Sequence, residues 1–79
     1  MKAKVYVTLK KGVLDPQGKA VMGALQSMDF SEVNDVRIGK FMELEINASS
    51  KEAEEARIKE MCEKLLANTV IENYRIEIE

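Results

Sequence analysis

Seventy-nine residues, 46% apolar and 33% charged, are enough for one small domain with a single core. At this size folding buries only roughly 60% of the surface the unfolded chain exposes, so self-association is expected to add buried area. Twelve Lys and Arg against fourteen Asp and Glu leave a net charge of -2, with no histidine and one cysteine. This excludes zinc chemistry, an internal disulfide and histidine proton transfer, and it supplies no overall attraction for nucleic acid or anionic lipid.

In chain order, Val5, Val7 and Leu9 alternate with Lys4, Tyr6, Thr8 and Lys10, the period of a strand with one buried face. Gly12 to Pro16 breaks the pattern, and Asp15 before Pro16 reads as a helix N-cap with proline at the first helical position. The helix runs to about Asp29 on a stripe of Val21, Ala24, Leu25 and Met28, with Gly18 and Gly23 weakening it slightly. Val33 to Ile38 is predicted as a second strand, Gly39-Lys40 as a hairpin turn, and Met42, Leu44 and Ile46 as the inward side of a third. Ser49 and Glu52 form a predicted capping box for a second helix with the stripe Ile58, Met61, Cys62, Leu65 and Leu66. The pairs Glu55 with Lys59 and Glu60 with Lys64 should support its outer face by about 0.3 kcal/mol each. Tyr74, Ile76 and Ile78 then alternate with Arg75, Glu77 and Glu79 in a last strand.

This order predicts an α+β fold over residues 1–79, a single ferredoxin-like βαββαβ domain whose four-stranded antiparallel sheet carries both helices on one face. The opposite face would hold Lys4, Tyr6, Thr8, Lys10, Arg37, Phe41, Glu43, Glu45, Arg75 and Glu77. It is either a solvated sheet face or a contact between copies, with Tyr6, Thr8, Phe41 and Glu43 at its centre.

No motif in the chain assembles an active site. Gly12 to Ala20 lies between a strand and a helix as a phosphate loop would, yet its glycines are one residue too far apart. Ala20 also replaces the Mg²⁺-binding hydroxyl, and Asp15 puts negative charge where a phosphate would sit. Cys62 lies on an apolar stripe without a base, which suits core packing, and Glu43 and Glu45 face outward. An RNA-binding sheet would need more aromatics than Phe41 beside those glutamates, and a metallochaperone would need paired cysteines. A small-molecule-sensing ACT-like regulatory domain remains as the alternative. No segment approaches the ~18 apolar residues of a membrane span and no signal-peptide run follows Met1, so a cytoplasmic location is expected.

Three stretches carry a resemblance across nearly the whole chain: Val7 to Ala20 with its Leu-Asp-Pro-Gln-Gly turn, Val33 to Ile46, and Met61 to Ile78 with Cys-Glu-Lys-Leu-Leu-Ala-Asn and Glu-Asn-Tyr-Arg. Together they resemble the PurS family, the small subunit of three-component phosphoribosylformylglycinamidine (FGAM) synthase; Thr69 departs from the family's usual proline. The resemblance implies a subunit without catalytic residues, cofactor or metal of its own. It would bridge a glutaminase subunit and a large ATP- and Mg-dependent synthetase subunit, assist ammonia transfer between them, and associate with itself as a dimer or tetramer. Val13, Leu14, Asp15, Gln17, Arg37, Lys40 and Phe41 are the expected partner surface, because the apolar side chains among them lack an obvious internal home.

Overall fold

The computed structural model describes residues 2–47 and 50–79. Its elements are β1 (Lys2–Leu9), α1 (Pro16–Ser27), β2 (Lys40–Glu45), α2 (Lys51–Met61), a π-helical turn (Cys62–Leu66) and β3 (Glu72–Ile78). The strands form an antiparallel sheet in the order β2-β1-β3. Tyr6 is opposite Phe41 on one side and Arg75 on the other, while Val5 aligns with Met42 and Ile76. Strict alternation thus sends Ala3, Val5 and Val7 into the core and Lys4, Tyr6 and Thr8 to the other face. Ile58, Cys62 and Ala67 complete the buried cluster, edged by Met42, Leu44, Tyr74 and Ile76.

The fold is α+β as expected, but three strands stand where four were predicted. Val33 to Ile38 pairs with no strand among the described residues, and Gly39-Lys40 makes no hairpin. Alternation there records which side chains are sheltered. The backbone bonds go to side chains instead: Val36 N–H to Asp35, Ile38 N–H to Asp15, and Gln26 to the Val33 carbonyl.

The second departure is the placement of the helices. α2 packs on the sheet toward β3, whereas α1 lies away from the sheet and from α2. Gly18 is its one buried residue, and Val21 and Met28, half of the predicted stripe, are 40% and 65% exposed. The molecule measures 51 × 25 × 14 Å, with a radius of gyration of 16.0 Å, against about 12 Å for a compact chain of this length.

Ser49 lies outside the described residues; the observed cap of α2 is Ser50, whose Oγ accepts from Ala53 N–H at 3.1 Å. The Glu60–Lys64 pair forms at 3.3 Å and Glu60 also meets Arg57, but Glu55 and Lys59 do not pair. At the π turn Ala67 N–H bonds the Cys62 carbonyl, five residues back. The extra residue rotates Leu65 outward to 84% exposure, so it leaves the predicted core stripe while Ile58 and Cys62 stay buried.

Candidate functional site: a junction of three segments

After β1, Val13 N–H bonds the Lys10 carbonyl at 3.1 Å, closing a tight turn in which Gly12 holds φ +91°. This left-handed geometry is one glycine adopts without strain. The turn delivers Asp15 to the start of α1, where its carboxylate is buried and serves two segments. Oδ1 accepts from Gly18 N–H at 2.9 Å, capping the helix, and Oδ2 accepts from Ile38 N–H at 2.8 Å, tying down the run before β2. Gly18 and Gly39 allow the close approach. A Cβ on the first would lie 2.2 Å from the Val36 carbonyl oxygen, and on the second 2.3 Å from that of Val7.

The third segment arrives from the far side of the sheet. Asn68 Oδ1 accepts from Val70 N–H, Glu72 Oε1 accepts from Asn68 N–H at 2.6 Å, and Lys10 N–H bonds the Ile71 carbonyl at 2.8 Å. The three stretches of the family resemblance therefore converge at one end of the sheet. Between them lies an apolar groove of about 360 Å³. Val13, Leu14, Asp15, Gln17 and Lys40, five of the seven residues expected at a partner surface, line it, and Leu14 at its lip is 71% exposed.

The other two residues lie elsewhere. Arg37 donates to the Lys10 carbonyl at 3.2 Å and lines a neighbouring hollow with Thr8, Gly12 and Asp35. Phe41 lies on the opposite sheet face, because one residue along a strand reverses the side chain. There it meets Tyr6 at 5.1 Å between ring centroids, and the Arg75 guanidinium lies 4.2 Å over the Tyr6 ring. A hydrogen bond from the phenol to Glu77, helped by burial, pushes Tyr6 above its ordinary pKa. Glu43 pairs with Lys2 at 3.1 Å on the same face, and Lys4 with Glu79 at 2.7 Å. Tyr6, Thr8, Phe41 and Glu43 therefore share a face, as expected, with charges of both signs around an aromatic pair.

Two groups that could have carried chemistry are otherwise engaged. The α1 N-terminus is filled by the chain's own Asp15 carboxylate. Cys62 is buried and burial raises its thiol pKa, which disfavours the reactive thiolate. No group of three metal-ligating side chains occurs among the described residues, and no helix there is long and apolar enough to cross a membrane. Sequence reasoning missed Glu54, which is fully buried although charged. Its spacing four residues before Ile58 and eight before Cys62 was the available signal.

The hydrogen bonds from Ile38 and Gly18 favour the ionised form and hold Asp15 below the ordinary aspartate value of 3.8. The stability it supplies is complete above that value and is lost as the pH falls through the depressed folded value. Asp15→Asn, left with one accepting oxygen, is expected to be less stable than the parent at neutral pH, with the gap narrowing in acid as the pH falls from 3.8 through the depressed folded value. Urea titrations of both proteins at neutral and acid pH check this; a gap that does not narrow would remove Asp15 from the junction's acid response.

Comparison with known proteins matches essentially the whole chain. The PurS family, described as phosphoribosylformylglycinamidine (FGAM) synthase, matches residues 2–79. The FGAM synthase subunit PurS of Bacillus subtilis is 64% identical over 78 residues, covering 99% of this chain and 92% of that one. The subunit from Archaeoglobus fulgidus is 49% identical over 76 residues, with 96% and 95% covered. Among solved structures, B. subtilis PurS superposes with a TM-score of 0.89 at 64% identity, covering 99% of this chain and 96% of that one. A chain in the structure of PurLQS from Thermotoga maritima gives 0.89 at 33% identity, with 96% and 93% covered.

Proposed function

The chain belongs to the PurS family, and from that premise we infer that it is the small, non-catalytic subunit of FGAM synthase in purine biosynthesis. It bridges the glutaminase and the ATP-dependent synthetase, so that nitrogen released from glutamine reaches formylglycinamide ribonucleotide (FGAR). The observation that carries this reading is the convergence of three family stretches on an apolar groove with an exposed leucine. Ammonia is mostly protonated near neutral pH and diffuses away, so holding source and consumer together raises its effective concentration without any chemistry on the bridge. ATP and Mg²⁺ are assigned to the synthetase, the complex to the cytoplasm, and the groove end to partner contact. The ligand-sensing alternative is not favoured, since the family places the chain in a synthase.

Self-association belongs to the same reading. α1 leaves an apolar stripe uncovered, and between β2 and the end of α2 lies an open slot of about 330 Å³ with Leu44, Met61, Leu65 and Leu66 in its lining and Arg57, Glu60 and Lys64 beside them. A second copy whose α1 fills that slot, reciprocally, would complete the helix layer of a ferredoxin-like sheet.

The test measures FGAM formation by the two large subunits with and without this chain, using glutamine or ammonium chloride as donor. Omission is expected to lower the glutamine-dependent rate by about tenfold or more and the ammonium-dependent rate by less than about twofold. Leu14→Ala, which removes an exposed side chain and leaves the fold intact, should show the same selectivity in weaker form. Equal rates with and without the chain would overturn the bridging role.

A further inference from the structure

Glu54 is fully buried on the inner face of α2, and neither carboxylate oxygen has a hydrogen-bond partner among the described residues. Around it the first half of α2 has little else to hold it. Lys51, Glu52, Ala53, Glu55, Ala56 and Arg57 are all exposed, and the next buried side chain is Ile58. The docked position of these turns therefore depends on burying the one group that least favours burial.

The direction of the helix shows what these turns cover. β2 ends at Glu45 opposite Lys2 and β3 begins at Glu72 opposite Leu9, so α2, which joins them and packs on the sheet through Ile58 and Cys62, has its Cys62 end toward the Leu9–Glu72 end of the sheet. Eight residues of helix back, about 12 Å, bring Glu54 over the Ala3–Ile78 end. Ala3 is itself fully buried there.

We propose that the first two turns of α2 are a latch that lifts from the Ala3–Ile78 end while the sheet stays folded, and that Glu54 sets how readily it lifts. Lifting returns both carboxylate oxygens to water. It sacrifices only the contacts of the first two turns, since Ile58 and Cys62 anchor the rest of the helix. The Ser50 cap travels with the helix, so the turns move as a unit.

Native-state hydrogen exchange on the full chain tests this, comparing Arg57 and Ile58 amides with those of Val5 and Val7 in the central strand after correction for intrinsic rates. In the wild type the helix amides are expected to exchange about tenfold faster or more. In Glu54→Leu and Glu54→Met, which fill the site with apolar volume, the logarithm of that gap is expected to shrink by more than about half. Equal exchange in the wild type, or a smaller change in both variants, overturns the latch. Failure of both variants to fold also overturns it, because the carboxylate would then be required in place.

Discussion

Gly18→Ala and Gly23→Ala, the same substitution five residues apart in α1, are expected to move stability in opposite directions. Alanine is favoured over glycine within a helix by about 1 kcal/mol. At Gly23 a Cβ meets nothing within 4 Å, so Gly23→Ala should realise most of that gain. At Gly18 a Cβ would lie 2.2 Å from the Val36 carbonyl oxygen and 2.7 Å from Asp15 Oδ2. The clash is with backbone and with a carboxylate already bonded twice, so it is relieved only by moving α1 off the Val36–Ile38 run and breaking the Asp15–Ile38 bond. Overpacking of this kind exceeds the helix gain, with a net loss of about 2–3 kcal/mol. That is a large part of what a small domain possesses. Denaturant unfolding of the two variants decides it, and a Gly18→Ala protein as stable as Gly23→Ala would show that the junction is loose.

Replacing Val21 and Met28 together by glutamate is expected to leave each protomer folded and to abolish self-association. Both side chains are substantially exposed in the single chain, so the protomer has little packing to lose. In the proposed assembly each occupies a partner's slot, where burying an apolar side chain of this size contributes about 1.5–3 kcal/mol. Two such losses on both protomers, with charge introduced, weaken association by far more than about a hundredfold. Light scattering after size exclusion should show the wild type as a dimer or larger and the double variant as a monomer, with the same far-ultraviolet circular dichroism. A monomeric wild type, or an unchanged mass in the variant, would rule out α1 exchange.

The sequence disclosed what depends on neighbours within a few residues. Alternation located β1 and β3, and Asp15 before Pro16 marked the start of α1 because a cap and a pre-set φ act within one turn. It also placed five groove residues together, since apolar side chains on turn residues rarely find an internal home. Phe41 was expected both on the outward sheet face and at the partner surface, and the pleat puts it on that outward face beside Tyr6, opposite in direction to Lys40. Val33 to Ile38 alternates like a strand, yet strand pairing needs a neighbour with a free edge, and Asp15 took the Ile38 N–H first. Leu65 followed the stripe in sequence but not in space, because the π turn changes the helical period at Cys62. The position of α1 was beyond reach altogether: an amphipathic stripe says that a helix will be covered and not by which copy.

Asp15 cannot collect its second hydrogen bond until Ile38 is in place, and Ile38 is held by the run that enters β2 beside the Val7 carbonyl. The direction in which α1 leaves the sheet therefore depends on a contact across a separation of 23 residues, beside the start of the β1–β2 pairing. In the proposed assembly, exchange of α1 would correspondingly be a late event, open only to chains whose sheets have already formed. Copies assembling in that way would meet as folded sheets with exposed arms, which would keep the arms from being traded among unfolded chains.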